Sequence, residues 1–199
     1  MSKDFISIEE AYKTILNGGV GVLPTDTLYG LVAKANNADA VSRLYKLKDR
    51  ENKPGTVIAQ NIDQLVELGL KRRYLQAVNK YWPGSVSVVI PTGPNLPYLH
   101  QGKFSLAVRI PNDPNLTKLL SVTGPLLTTS ANAPGKPPAT NIDEAKQYFG
   151  NKVDFYVDGG PNNSQPSTVI RVVDDVIEIL RQGKTRINEQ TGEVIDHDI

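Results

Sequence analysis

Five short stretches of this 199-residue chain hold side chains that could do chemistry together. Thr25, Asp26, Thr27 and Tyr29 follow Pro24 and pack hydroxyl and carboxylate groups into five positions. Lys48, Arg50 and Lys53 bring three cations into six positions. Ser105 and Arg109 come next, then Thr128, Ser130 and Asn132 at every second position, and finally Ser167 and Thr168 with Arg181. Several cations beside many hydroxyl and amide groups are the make-up of a pocket for phosphate and carboxylate.

Other chemistries fit less well. The chain has no cysteine, which excludes disulfides, thiolate zinc sites and thiol catalysis. Its two histidines, His100 and His197, are far apart, so neither a Ser-His-Asp triad nor a nitrogen-based metal site is expected. There is no Gly-x-x-x-x-Gly-Lys-Ser/Thr run, and Gly19-Val-Gly21 lacks the rest of a dinucleotide fingerprint. A nucleotide, if bound, is therefore held by side chains. Lys+Arg of 22 against Asp+Glu of 21 gives a net charge of +1, so any basic site is local. Apolar content of 39% and charged content of 22% are those of a soluble globular protein. The N-terminus has no long apolar core, which points to the cytoplasm.

The elements that hold these groups follow from pattern. Val20 to Leu23 reads as a buried strand whose pairing stops at Pro24, a residue with fixed φ and no N–H. Ser7-Ile-Glu-Glu10 predicts a capping box for a helix carrying Ile8, Ala11, Tyr12, Ile15 and Leu16, ended by Gly18-Gly19. A second helix starts near Asp39, with Val41, Leu44, Tyr45 and Leu47 as its apolar stripe, and exits at Lys48-Asp-Arg50. Thr56 to Ala59 reads as a short strand. Asn61 caps a helix with Ile62, Leu65 and Val66, and Tyr74, Leu75, Val78 and Trp82 suit another, broken by Pro83-Gly84.

Ser85 to Ile90 is a strand, and 93–102 is a loop. Phe104 to Ile110 is a strand stopped by Pro111, with Ser105, Ala107 and Arg109 on one face. A helix over 115–120 leads into a strand over 125–131, on which Thr128, Ser130 and Asn132 share a face. A loop over 133–139, a helix over 143–149 and a strand over 153–158 follow. Ser167 to Val173 and Val176 to Leu180 form a hairpin turned by Asp174-Asp175. The tail from Lys184 reads as polar and loose. Strands and helices mix without repeats or a long linker, which predicts a single α/β domain over 1–199 with a mixed, twisted sheet. Its core spans about 7–183.

Each candidate group also has a structural reading. Lys48 and Arg50 at a helix exit favour the negative end of the dipole. Arg109 can be a surface cation, and Ser130 and Asn132 can begin a turn. Trp82 and Tyr29 read as core rings.

Eight motifs in order extend the reading. They are Pro24-Thr-Asp-Thr-Leu-Tyr-Gly-Leu31, Lys48-x-Arg50, Trp82-Pro-Gly84, Val108-Arg-Ile-Pro111, Thr129-Ser-Ala-Asn132, Asp158-Gly-Gly160, Ser167-Thr-Val169 and Leu180-Arg-x-Gly183. Together they resemble the threonylcarbamoyl-AMP synthase family, the YrdC type, over roughly Ser7 to Gly183. The resemblance implies a twisted α/β sheet with a basic cavity at its strand ends. It also implies a reaction of L-threonine, bicarbonate or CO2, and ATP, with Mg2+ on the nucleotide, that yields threonylcarbamoyl-AMP and pyrophosphate.

The product then serves a downstream tRNA threonylcarbamoyl transferase complex, with weak tRNA contact left open. In the resemblance Lys48, Arg50, Ser130 and Asn132 are the catalytic set at the ATP phosphates. Lys53, Ser105 and Arg181 are further nucleotide contacts, while Thr27, Arg109, Thr128 and Ser167 surround the threonine. No metal-ligating residue is implied.

The chain departs from the family in places. The segment from Arg50 to Pro54 is one residue shorter than the commonest form. Trp82-Pro-Gly-Ser-Val-Ser87 carries Ser where Thr is usual, and Arg171 stands where many relatives carry Asp. The match is to the short form, without the extra C-terminal domain of longer relatives. Two alternatives remain: an RNA- or tRNA-binding protein of the same fold without synthase activity, and a paralogue with altered chemistry.

Overall fold

The computed structural model describes residues 5–50, 53–174 and 176–195. His197 and the Asp175 half of the expected turn lie outside them. Strand β1 (Gly21–Pro24) follows helix α1 (Ile8–Leu16), whose N-cap Ser7 and Glu10 form the expected reciprocal capping box. The chain turns at once into β2 (Tyr29–Lys34), antiparallel to β1, with Pro24 opposite Tyr29 as the last pair. No strand was expected over β2. Gly30 and Ala33 dilute its β-propensity, and its strand state comes from lying between two others.

Helix α2 (Ala38–Leu47) leads to β3 (Thr56–Ile58), α3 (Ile62–Glu67), α4 (Arg72–Ala77) and β4 (Val86–Pro91). The 93–102 segment, expected to be a loop, contains a one-turn helix α5 (Pro97–His100) with proline in its first turn. Then come β5 (Ser105–Arg109), α6 (Pro114–Thr123), β6 (Leu126–Ser130), α7 (Ile142–Phe149), β7 (Phe155–Tyr156), β8 (Thr168–Val173) and β9 (Val176–Arg181). Among the described residues nine strands form one mixed sheet in the order β7-β1-β2-β6-β3-β5-β4-β8-β9.

Register explains where a cleft can form. Thr128 pairs with Val32 and Thr56, Thr56 with Ala107, and Ile58 with Arg109. By the two-residue period these residues share one face of the sheet. On part of that face Val32, Ile58 and Leu126 are buried with Ala11 and Ile15 of α1 and Leu116, Leu119 and Leu120 of α6. The opposite face, with Leu31, Val57, Val88, Val108 and Leu127, is buried under residues of α2, α3, α4 and α7. What α1 and α6 leave uncovered carries Thr128, Thr56 and Arg109, with Gly30 beside them.

The segment after β9 is not loose. Thr168 Oγ1 donates to the Thr185 carbonyl, and the Lys184 and Gly183 N–H groups bond to the Pro166 carbonyl and to Thr168 Oγ1. Ser85 Oγ and Thr185 Oγ1 are 2.5 Å apart, and Ile187 is buried. A side chain at Gly183 would place its Cβ 2.1 Å from the Pro166 carbonyl oxygen, so only glycine lets this strap lie so close. The expectation failed because the backbone here, and the Thr185 and Gln182 side chains with it, bond inward to β8 and to Ser85.

Candidate functional site

Thr25 builds the wall at the β1–β2 turn. Its Oγ1 donates to the Leu28 carbonyl (2.6 Å) and accepts the Thr27 and Leu28 N–H groups (3.2 Å each). This is the hydroxyl-capped turn that Thr/Asp-rich sequences favour, and it leaves Thr27 buried at the cleft. Tyr29, fully buried, donates to the Gly160 carbonyl (2.7 Å) and accepts the Gly159 N–H (2.8 Å). The ring is core and its hydroxyl pins the 158–160 loop behind the turn. Burial raises its pKa.

The end of β6 is locked to the end of α2. Lys48 caps α2, and its Nζ donates to the Ser130 carbonyl (3.0 Å), the Asn132 carbonyl (2.5 Å) and Asn132 Oδ1 (2.8 Å). Three acceptors match the ammonium's three protons. Ser130 Oγ donates to the same Oδ1 (2.6 Å), while Asn132 Nδ2 donates to the Ala133 (3.1 Å) and Lys136 (2.8 Å) carbonyls. Burial, with Arg50 adding repulsion, pulls the Lys48 ammonium down to about 8. It stays charged at neutral pH.

Arg50 is half-buried, donates through Nη2 to the Pro54 carbonyl (3.3 Å) and keeps a buried Nε with no partner. Burial lowers its pKa. Across the sheet, Arg181 donates Nε and Nη2 to the Ser167 carbonyl (3.1 and 2.8 Å) and Nη2 to Ser167 Oγ (3.1 Å). Ser167 Oγ in turn lies 2.9 Å from Ser87 Oγ. Burial and then the charges of Arg50 and Arg109 push the Arg181 guanidinium down. Arg109 closes β5, is only 3% exposed and pairs through Nη1 with Asp26 Oδ2. Among the described residues, no acidic side chain is paired with Lys48, Arg50 or Arg181.

A cleft of about 580 Å³, counting its open mouth, is lined by Thr27, Arg50, Arg109, Thr128, Ser130, Ser167 and Arg181. Seven of the expected site residues thus come together from three strands and three loops. Lys48 and Asn132 stand behind that wall, joined to it through Ser130. Lys53 is exposed, its N–H bonding Gln101 Oε1 (2.9 Å), and its side chain is not part of the lining. Ser105 opens β5 opposite Pro91, at the other end of the strand from Arg109, and also lies off the cleft.

Sequence reasoning put Asp26 in the first polar stretch without giving it a role, and missed Ser87 and Thr129 as parts of this site. Thr129 borders the cleft, and its side chain, on the face opposite Thr128 and Ser130, has a buried hydroxyl without a partner. The signal for Asp26 was its place between two threonines, and for Ser87 a polar residue inside an apolar strand.

A family model described as "Sua5_yciO_yrdC: Telomere recombination" matches residues 13–183. The chain is 35% identical over 179 residues to a putative threonylcarbamoyl-AMP synthase of Methanocaldococcus jannaschii, covering 88% of this chain and 85% of that one. It is 33% identical to a threonylcarbamoyl-AMP synthase of Marinobacter nauticus, covering 86% and 94%. Its fold matches the crystal structure of P. abyssi Sua5 complexed with L-threonine at a TM-score of 0.79 and 30% identity. That alignment covers 88% of this chain and 54% of the archaeal one, so this chain spans about half of that relative.

Proposed function

The chain belongs to the Sua5/YciO/YrdC family, and from that premise we propose that it is an L-threonylcarbamoyladenylate synthase. Threonine's amine captures CO2, supplied by bicarbonate, as a carbamate. A carbamate oxygen then attacks the α-phosphorus of ATP and pyrophosphate leaves. No protein nucleophile takes part, so catalysis is positioning plus charge neutralisation.

The observation that carries this reading is the convergence of Arg50, Arg109 and Arg181 on one cleft lined with Ser130, Thr128 and Ser167 hydroxyls. Arg50, Arg181 and Ser130 take the phosphates, with Lys48 supplying charge from behind and Asn132 fixing Ser130. Lys53 and Ser105, expected as nucleotide contacts, lie off this cleft and take no part in the reading. Arg109 holds the threonine carboxylate as a fork donor, and Thr27, Thr128 and Ser167 read the substrate hydroxyl. The cleft presents cations and hydroxyls. In this reading Mg2+ enters on the triphosphate.

The product is a mixed anhydride, which suits it to donate threonylcarbamoyl to tRNA through a downstream transferase. Among the described residues no helix is long and apolar enough to cross a membrane. Purified protein incubated with L-threonine, bicarbonate and ATP is expected to release pyrophosphate. Equal release without threonine, or none at all, refutes the reading.

A further inference from the structure

Three guanidiniums face the cleft, and only Arg109 has a carboxylate partner among the described residues. That partner, Asp26, is not among the residues assigned to phosphate or threonine above. Its side chain is 8% exposed and sits in the β1–β2 turn, three strand spacings from β5 in the sheet order. Strands lie about 4.8 Å apart, so the ion pair spans the sheet face rather than joining neighbours. It holds the turn over the cleft.

The geometry of the pair is one-sided. Asp26 uses Oδ2 on Nη1 only. Asp26 Oδ1 and Arg109 Nε are both buried without partners. A two-point pairing would engage both carboxylate oxygens and both faces of the donor fork. Here one nitrogen anchors the guanidinium and the rest of the fork is unspent. A buried ion pair is weak support for stability, because desolvation offsets most of its attraction. Its worth lies in where it puts things. The same turn carries Thr27 at the cleft, so one contact sets both the Arg109 fork and the Thr27 hydroxyl.

We infer that Asp26 is a positioning residue for amino-acid binding: it fixes Arg109 and closes the Thr25–Leu28 turn so that both face one bound amino acid. It does not touch the substrate. A carboxylate against the substrate amine would keep that amine protonated and unreactive toward CO2, and pairing with Arg109 keeps Asp26 from that role. This inference rests on the threonine reading of Arg109.

The test is steady-state kinetics of the full chain with threonine and ATP varied separately, alongside Tm. Asp26→Asn keeps the shape and removes the charge. It should raise the threonine KM on the order of tenfold or more, with the ATP KM within about twofold. Asp26→Glu should recover part of the loss. The double variant Asp26→Ala/Arg109→Ala should bind threonine no worse than Arg109→Ala alone, because the two act as one unit.

An unchanged threonine KM in Asp26→Asn, with Arg109→Ala impaired, overturns the proposal. So does an equal rise in both KM values, or losses that add in the double variant. Should Asp26→Asn not fold, the Asp26→Glu protein and the double variant carry the same comparison. If Arg109→Ala leaves the threonine KM unchanged, it is the carboxylate role of Arg109 that fails, and the inference falls with it.

Discussion

The two ends of the cleft handle positive charge differently. Where α2 meets β6, Lys48 is buried against two backbone carbonyls and an amide oxygen, all neutral acceptors. Where β5 meets the β1–β2 turn, Arg109 is buried against the Asp26 carboxylate. The first arrangement keeps a full uncompensated charge beside Arg50, and burial, then the repulsion of Arg50, lowers the Lys48 pKa as a consequence. The second cancels the charge and keeps the geometry. An uncompensated end suits a triphosphate, whose several charges repay the desolvation of the cations. A compensated end suits a single carboxylate, for which direction matters more than field.

The largest expected effect breaks the comparison at its charged end. Lys48→Ala or Arg50→Ala should lower turnover on the order of a hundredfold or more, the scale of removing one preorganised electrostatic partner. Steady-state assays beside thermal melts check this. Normal turnover in a folded variant would return both residues to a helix-capping role.

The other end should respond to hydrogen bonding as well as to the Asp26–Arg109 pair. Thr27→Val is expected to raise the threonine requirement about tenfold, the scale of one buried hydrogen bond, with ATP affinity nearly unchanged. For the same reason valine should compete far more weakly than serine. A missing methyl costs only about 1–3 kcal/mol, while a buried polar group left unpaired rejects more strongly. Competition by valine equal to that of serine would undo the assignment of this end.

The pH dependence separates the ends further. The Lys48 pKa is lowered to about 8, so its charge is lost from the folded protein as pH rises through that value. ATP affinity should therefore fall several-fold above pH 8, and threonine affinity in the absence of ATP should not follow this limb. Stability moves the opposite way. Between about 8 and the ordinary lysine value the unfolded chain binds the extra proton, so this group's contribution to folding improves with pH. Calorimetric ATP titrations from pH 7 to 9.5 test the first half, and denaturant melts over the same range the second.

The smallest effect concerns the middle. A Cβ at Gly30 would lie 2.6 Å from Thr128 Oγ1, so Gly30→Ala should displace that hydroxyl. A rise of a few-fold in the threonine KM, with ATP KM unmoved, is expected. Equal changes in both would mean that Thr128 serves the two ends alike.

Most elements were legible because their periodicity and caps are local. The Ser7 capping box, the Asn61 N-cap and the Pro111 stop all stand where the sequence puts them. Strand β2 was not legible, since its state depends on β1 and β6 pairing on either side. Among the site residues, hydroxyls and cations were identifiable by type and by their place at strand ends. Their grouping was not: β6 and β8 are separated by three strands in the sheet, and only the sheet order and register bring Ser130 and Ser167 to the same cleft.

By itself the sequence determined which chemistry was available. With no cysteine, two histidines and no phosphate-binding loop, it restricted the chain to side-chain cations and hydroxyls acting on anions. Tertiary structure alone decided which of those groups work together. It set Lys48 behind the wall rather than in it, left Lys53 and Ser105 outside, and gave Arg109 its carboxylate from 83 residues away. The reason is physical. Residue type and helical or strand period are encoded within a few positions. Charge pairing, burial and the direction of a guanidinium depend on which distant backbone packs alongside, and that is fixed only when the sheet closes.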